Sequence, residues 1–173
     1  LICFNITLAN NVINEDDIFW SGNITNVMDM KCRNLIDKDI RSLCQSGVLH
    51  MDCARYKITN ELNEYLVTAT MYNPTYEQTD STPNITADGT KIDTKNASKY
   101  RYIALSRDLL VRWGGPFDYD DIVCIEGIGE YSGLYKVKDT MNKMYKQRVD
   151  ILKTIGHPNF KFEKARLSKW EGN

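Results

Sequence analysis

The chain has few of the residues that build metal sites or cross-linked frameworks. It contains only two histidines, His50 and His157, and its five cysteines include no CxxC pair, so zinc-ligand spacing is missing. No apolar run reaches the roughly 18 residues that a membrane-spanning helix needs. Because 22 Lys+Arg face 23 Asp+Glu, the formal net charge is -1 and no basic field attracts nucleic acid. We therefore expect no metal, no cofactor and no nucleic-acid partner.

The common catalytic motifs are also missing. The sequence has no GxSxG nucleophile elbow, no P-loop and no GxGxxG fingerprint, and the short Gly127-Ile128-Gly129 step is too little to indicate a nucleotide site. Cysteine chemistry would need a histidine, and His157 could pair only with a cysteine distant in sequence. These absences leave carboxylate chemistry and binding without chemistry as the classes to consider.

The composition is that of an ordinary globular protein. Of its 173 residues, 42% are hydrophobic and 26% are charged. This length is sufficient for one domain with a hydrophobic core, or for one such domain preceded by an arm. We divide the chain into an N-terminal arm or helical segment, residues 1–64, and a β-rich domain, residues 65–173. Protein assembly through residues 1–64 is a possible role. One helix is predicted in the arm, ending near Gly47, because five apolar side chains fall on one helical face: Leu35, Ile36, Ile40, Leu43 and Cys44.

Two features of the arm have alternative interpretations. Cys32, Cys44 and Cys53 lie close together in sequence, which suits either a disulfide in an exported protein or buried thiols of a helical region. Residues 1–9 (LICFNITLA) resemble the end of an apolar signal segment, but an extended arm or a buried strand would give the same pattern.

From residue 65 the pattern changes to short β-rich runs separated by turn residues. This is typical of a mainly β fold, either a small barrel or a sandwich. A polar stretch at residues 75–98 is long enough to be a functional loop or a mobile one. The predicted strands are residues 66–72, 102–105, 122–125, 135–138, 148–152 and 165–170.

Two aspartates stand out within the β-rich region. Strand alternation places Tyr135, Val137 and Asp139 on one face, with Asp139 at the end of its strand. Asp150 lies between Val149 and Ile151, and a carboxylate in an apolar strand is costly unless it is hydrogen-bonded or functional. If the loop between them returns the chain, the carboxylates approach and their pKa values separate, as acid–base chemistry needs. The alternative is a surface aspartate together with a salt bridge from Asp150 to a nearby cation.

Two loops offer further candidates. Thr86 and Asp88 belong to a TADG step that is either a tight turn or a pair of hydrogen-bonding groups at the mouth of a cleft. The segment 113–121 combines aromatic rings, glycines and acids. Its rings could stack on sugars, or they could pack against their own barrel.

Taken in order, several segments resemble the 3D domain family. This family is named for three aspartates and is related to the catalytic domain of the lytic transglycosylase MltA and to the RlpA barrel. The D-T-x-N…R-V-D-I pattern is the most specific part, the TADG step comes next, and the resemblance covers about residues 65–170. The segments are VTATMYNP (67–74), ITADGTKID (85–93), YIALSRDLL (102–110), GGPFDYDDIVCIEGIG (114–129), YKVKDTMN (135–142) and QRVDIL (147–152).

The resemblance implies a six-stranded double-psi β-barrel that cleaves peptidoglycan between N-acetylmuramic acid and N-acetylglucosamine. One aspartate would first protonate the glycosidic oxygen, and its carboxylate would then help the muramic acid 6-hydroxyl form a 1,6-anhydro end without water. Carried over, Asp139 is the expected acid/base and Asp150 its tuning partner. The residues expected to bind substrate are Tyr72, Thr86, Asp88, Ser106, Thr140 and Asn142.

The sequence departs from the family at two of these positions. Ser106 stands where the family usually has its first aspartate, and the usual D-T-G-G step reads Asp139-Thr140-Met141-Asn142. The alternative to an enzyme is therefore a non-catalytic glycan-binding or structural component, for example of a bacteriophage particle. Either function implies a protein exported to the periplasm, the cell envelope or the extracellular space, or a phage virion protein.

Overall fold

A computed structural model describes residues 35–45 and 63–170. The predictions for residues 1–9, for Gly47 and for Cys3, Cys32 and Cys53 lie outside this part of the chain. No helix in these two described ranges has the length and apolar character needed to cross a membrane.

The β-rich region is a closed barrel of six strands. Their order around the barrel is β1-β5-β2-β4-β3-β6. The pairs β1·β5 and β2·β4 are parallel, and the other four pairs are antiparallel. A mainly β, six-stranded barrel is thus confirmed, and each predicted run overlaps one strand. The bounds are Tyr65–Tyr72 (β1), Tyr102–Leu105 (β2), Ile122–Glu126 (β3), Gly133–Thr140 (β4), Arg148–Leu152 (β5) and Phe162–Lys169 (β6).

Alternating side chains fill the inside of the barrel. Ile103 and Leu105 of β2 pack there with Val149 and Ile151 of β5, and all four are fully buried. Their strand neighbours necessarily point to the outer face, because successive side chains alternate. Asp150 is therefore an outward residue between two inward ones.

An apolar cluster covers part of the outer face of β1, β5 and β2. Tyr72, Tyr102, Ala104 and Leu152 form a second apolar cluster on this face. Ile92, Ala97 and Tyr100, from the polar stretch after β1, complete the cluster. This stretch ends in a 3₁₀ helix, Thr94–Tyr100. It therefore lies against the barrel and forms one wall of the cavity described below.

One helix of the arm is described, α1 at Lys38–Gln45. Asp37 caps its N-terminus, since the Asp37 carboxylate accepts hydrogen bonds from the backbone N–H groups of residues 39 and 40. The apolar face of α1 packs Ile40 and Cys44 against Cys124 and Leu134 of the barrel. Cys44 and Cys124 are both disulfide-bonded, which favours the disulfide interpretation over free buried thiols.

A β-bulge in β4 changes the face on which Asp139 lies. The register runs from Ile103 opposite Val137 to Ala104 opposite Asp139, so one extra residue, Lys138, is inserted in β4. Paired residues point to the same side, and Ala104 belongs to the outer cluster. The strand-alternation prediction that Asp139 shares the inner face with Val137 is therefore wrong, because the bulge turns the Asp139 side chain outward.

Candidate active-site groove

The two aspartates lie side by side across one strand. Ala104 of β2 pairs with Asp150 of β5 on one side and with Asp139 of β4 on the other. Two strand spacings separate the two aspartate backbones by about 10 Å. Both carboxylates line one open groove of about 760 Å³ together with Tyr72, Ala104, Thr140 and Asn142. The barrel thus brings together both predicted catalytic residues and three of the six predicted substrate-binding residues.

Asp139 is held by donors on both of its oxygens. The backbone N–H of Ala87 donates to Oδ1 at 3.1 Å and the N–H of Thr140 donates to the same atom at 2.8 Å. The Tyr72 hydroxyl donates to Oδ2 at 2.8 Å. Burial raises the pKa of Asp139, and these hydrogen bonds oppose the rise because they favour the carboxylate. The arrangement is that of a carboxylate fixed in position.

Asp150 is in a different environment. Its carboxylate accepts a hydrogen bond from the Thr70 hydroxyl, on the next strand. Burial raises the pKa of Asp150 to about 6; the nearby Arg148 charge acts against the rise, and the Asp139 charge adds to it. The Arg148 Nε donates to Thr70 at 3.2 Å, and Asp150 forms no ion pair within residues 35–45 and 63–170. The alternative in which Asp150 forms a salt bridge with a nearby cation is therefore not observed among the described residues.

Thr86 and Asp88 build the loop behind the groove and do not line it. The Thr86 hydroxyl donates to Asp88 at 2.6 Å, and the Lys138 ammonium forms an ion pair with Asp88 at 2.9 Å. Lys138 also pairs with Asp120 at 2.5 Å. Burial acts to raise the pKa of Asp88, but the bonds from Lys138 and from Thr86 outweigh it and hold the pKa below its ordinary value. The loop between them presents the N–H of Ala87 to the groove.

Ser106 also lies away from the groove. Its side chain is fully buried, and its Oγ accepts a hydrogen bond of 3.1 Å from the backbone N–H of Arg148. The Ser106 N–H donates in turn to the carbonyl of Arg148 at 2.9 Å. Ser106 thus joins the end of β2 to β5. The contact between Ser106 and substrate stays a prediction, and the burial of the Ser106 side chain does not favour it.

The aromatic rings of the segment 113–121 divide between the two predicted roles, packing against the barrel and facing a ligand. Phe117 is buried in the inner core, whereas Trp113 and Tyr119 line the groove. The Tyr119 and Thr140 hydroxyls lie 2.5 Å apart. One ring therefore anchors the loop, and two rings are available to a ligand.

Sequence reasoning missed several groove residues. Arg107 follows the end of β2, and its guanidinium carbon lies 5.0 Å from the centre of the Trp113 ring. Nothing in the strand pattern marks these positions, because they depend on how loops close over the barrel. The other unpredicted lining residues are Gln78, Thr79, Asp80, Ile85, Arg112, Met141 and Tyr145.

Within the described residues, no group of three or more His, Cys, Asp or Glu side chains is placed to hold a metal ion. No protein-family model matches the chain, and no curated protein sequence matches it. The resemblance to the 3D domain family therefore rests on the quoted residues alone.

Proposed function

We propose that this protein cleaves the glycan strands of peptidoglycan by lytic-transglycosylase chemistry. The observation that carries the proposal is that Asp139 and Asp150 line one groove in unequal environments. Unequal environments let one carboxyl hold a proton while the other stays ionised. The motif resemblance supplies the substrate class.

The groove favours Asp150 rather than Asp139 as the acid. A pKa of about 6 leaves much of Asp150 protonated in a mildly acidic medium, whereas the donors around Asp139 stabilise its charged form. This division reverses the roles that the resemblance suggests. Asp139 would stabilise positive charge that develops on the sugar ring.

The proposed reaction uses the Asp150 carboxyl group twice, first as an acid and then as a base. Asp150 gives its proton to the glycosidic oxygen as the bond from that oxygen to the anomeric carbon breaks. The Asp150 carboxylate then takes the proton of the muramic acid 6-hydroxyl while that oxygen bonds to the anomeric carbon. The product carries a 1,6-anhydro ring, Asp150 is protonated again, and no water is consumed.

Two further observations support this proposal. Trp113 and Tyr119 give the groove aromatic faces suited to sugar rings. The disulfide-bonded Cys44 and Cys124 are in keeping with an oxidising compartment, as an exported or virion protein would meet.

The test is digestion of purified sacculi followed by mass spectrometry of the soluble products. Wild-type protein should release 1,6-anhydro-muropeptides, and Asp150→Asn should lower the release by at least about a hundredfold, as expected for loss of a general acid. Glu163→Gln is the matched control, since it makes the same carboxyl-to-amide change at an exposed residue outside the groove. Equal release from wild type and Asp150→Asn would disprove the assignment, and reducing ends without anhydro ends would contradict the transglycosylase route.

A non-catalytic glycan-binding component is the second candidate. It is favoured by Met141, which is nearly buried and lines the groove where the related pattern has glycine. Binding of the wild-type protein to sacculi without any soluble product would select this alternative.

A further inference from the structure

The loop that follows β2 places two arginines and a tryptophan together at one side of the groove. The guanidinium carbons of Arg107 and Arg112 lie 5.0 and 5.3 Å from the centre of the Trp113 ring. All three side chains line the same cavity as the aspartate pair. Trp113 is 41% exposed, so part of its ring is open to a ligand.

The two arginines have no close acidic partner in the described part of the chain. Neither Arg107 nor Arg112 forms an ion pair within residues 35–45 and 63–170. The Nε of Arg107 is buried and has no hydrogen-bond acceptor there. Two like charges beside one ring repel each other, and an anion between them would remove that repulsion.

The acids of the groove are engaged elsewhere. Asp139 accepts its hydrogen bonds from Tyr72, Ala87 and Thr140. Asp150 accepts from Thr70, and Asp80, the third acid of the groove, accepts from the backbone N–H and the hydroxyl of Thr82. The arginines are therefore free to meet an anion that arrives with the ligand, and a guanidinium binds a carboxylate with two parallel hydrogen bonds.

The loop is held firmly enough to act as a built site. Leu109 and Phe117 are buried beneath it, and the Phe117 N–H donates to the Leu109 carbonyl at 3.0 Å. Gly115 lies so close to this turn that a Cβ atom there would be 2.2 Å from the Leu109 carbonyl carbon. Arg107 is three residues beyond Ala104, which places their Cα atoms at most about 10 Å apart. A short oligosaccharide can reach both places.

We infer that Arg107, Arg112 and Trp113 form a subsite for a carboxylate on the glycan, so that the groove prefers an acidic glycan to a neutral one. The inference rests on the proposed function and narrows its substrate class. The carboxylate has two possible sources in peptidoglycan, the lactyl group of a peptide-free muramic acid or the stem peptide of a substituted one. Both present the same group to the arginines.

Binding can be measured without turnover in the Asp150→Asn protein. The three probes are chitotetraose, which is neutral, a peptide-free tetrasaccharide of alternating N-acetylglucosamine and N-acetylmuramic acid, and the same tetrasaccharide with its stem peptides. Calorimetry should show at least about tenfold tighter binding of one acidic probe than of chitotetraose, as a charged hydrogen-bonded pair supplies. The acidic probe that binds more tightly than chitotetraose identifies the source of the carboxylate.

Charge-removing variants separate this inference from the function on which it rests. In the same background, Arg112→Gln and the Arg107→Gln/Arg112→Gln pair should abolish the preference, so that the acidic probe and chitotetraose bind with equal affinity to the same variant. Arg166→Gln, at a half-exposed arginine outside the groove, should change nothing. If the double variant does not fold, the exposed Arg112→Gln decides alone. Equal binding of all probes in every variant would overturn the subsite and leave the proposed function standing, whereas binding of no probe would overturn both.

Discussion

The hydroxyl of Tyr72 donates a hydrogen bond of 2.8 Å to Oδ2 of Asp139 across the groove. Burial and the neighbouring Asp139 charge raise the pKa of Tyr72 well above its ordinary value, so this phenol keeps its proton wherever the protein is folded. Tyr72 is therefore a permanent donor to Asp139, and it complements the two backbone donors on Oδ1. The role predicted for Tyr72 was contact with substrate. The structure adds the role of holding a carboxylate.

Tyr72→Phe removes this donor and should raise the pKa of Asp139, since a hydrogen bond to a charged group is worth about 1.5 kcal/mol or more to the carboxylate. The acidic limb of the pH–activity profile should move up accordingly if Asp139 works as a carboxylate. Tyr76→Phe, at an exposed tyrosine, is the control. NMR titration of the Asp139 carboxyl checks the shift directly. An unchanged pKa would mean that the Tyr72 contact does not stabilise the charged form.

The raised pKa of Asp150 makes stability depend on pH. The pKa rises from 3.8 to about 6 on folding, so the folded protein binds the proton more tightly than the unfolded chain. The stabilisation from this proton is complete below pH 3.8 and is lost as the pH rises through about 6. Asp150→Asn should therefore be more stable than wild type by about 3 kcal/mol at pH 7.5, with little difference at pH 4. Urea unfolding at both pH values measures this, and an equal difference at the two values would refute it.

Activity should follow the same titration if Asp150 is the acid. The protonated fraction of Asp150 falls above its pKa of about 6, so the rate of anhydro-product release should decline as the pH rises past that value. A profile from pH 4.5 to 8 measures the decline in the wild-type protein. A rate that increases over this range would assign the acid to another group.

Lys138 holds the loop behind the groove through two ion pairs. Its side chain is only 10% exposed, and that of its partner Asp88 is 11% exposed. Lys138→Met should lower the free energy of unfolding by about 2 kcal/mol or more, because it leaves a buried carboxylate unpaired. It should also raise the pKa of Asp88. Lys161→Met breaks the exposed pair with Glu163 and should leave the unfolding curve unchanged. Similar effects of the two variants would show that the Lys138 pairs contribute no more than a surface pair.

Gly114 and Gly115 are adjacent glycines with different requirements. Gly115 has no room for a Cβ atom beside the Leu109 backbone, while Gly114 has φ +88° and open space around it. Gly115→Ala should destabilise the protein by about 3 kcal/mol, since backbone must shift, and Gly114→Ala by about 1 kcal/mol for the strained φ alone. Thermal unfolding distinguishes them. The reverse order would show that the turn after β2 relaxes more readily than the contact implies.

Strand positions were predictable, and the placement of Asp139 was not. Alternating apolar residues such as Val149 and Ile151 mark the buried faces, and glycines mark the turns, so each run is visible locally. A β-bulge has no comparable signature in the sequence around it. The insertion of Lys138 is set by the register between β2 and β4, and it decides the face on which Asp139 lies.

The sequence predicts that the two aspartates lie close together only if the loop between them returns the chain. Asp139 and Asp150 come together because β2 lies between β4 and β5, and this order depends on contacts distant in sequence. The arginines beside Trp113 were not foreseen, since their position depends on the fold of a loop over the barrel. The TADG step is visible in the sequence, but its contribution to the groove is the backbone N–H of Ala87, which donates a hydrogen bond to Asp139.

The closed strand order has a consequence for how the protein acquires its site. β1 pairs with β5 and β6, so the first strand of the barrel has no partner until the last strands of the chain are made. Chains dominated by such distant pairings fold slowly, in milliseconds to seconds. Asp150 meets Thr70 and Ala104 only when this late closure occurs. A partly synthesised chain would therefore carry Asp139 without its partner, and the groove would be complete only once β5 is made.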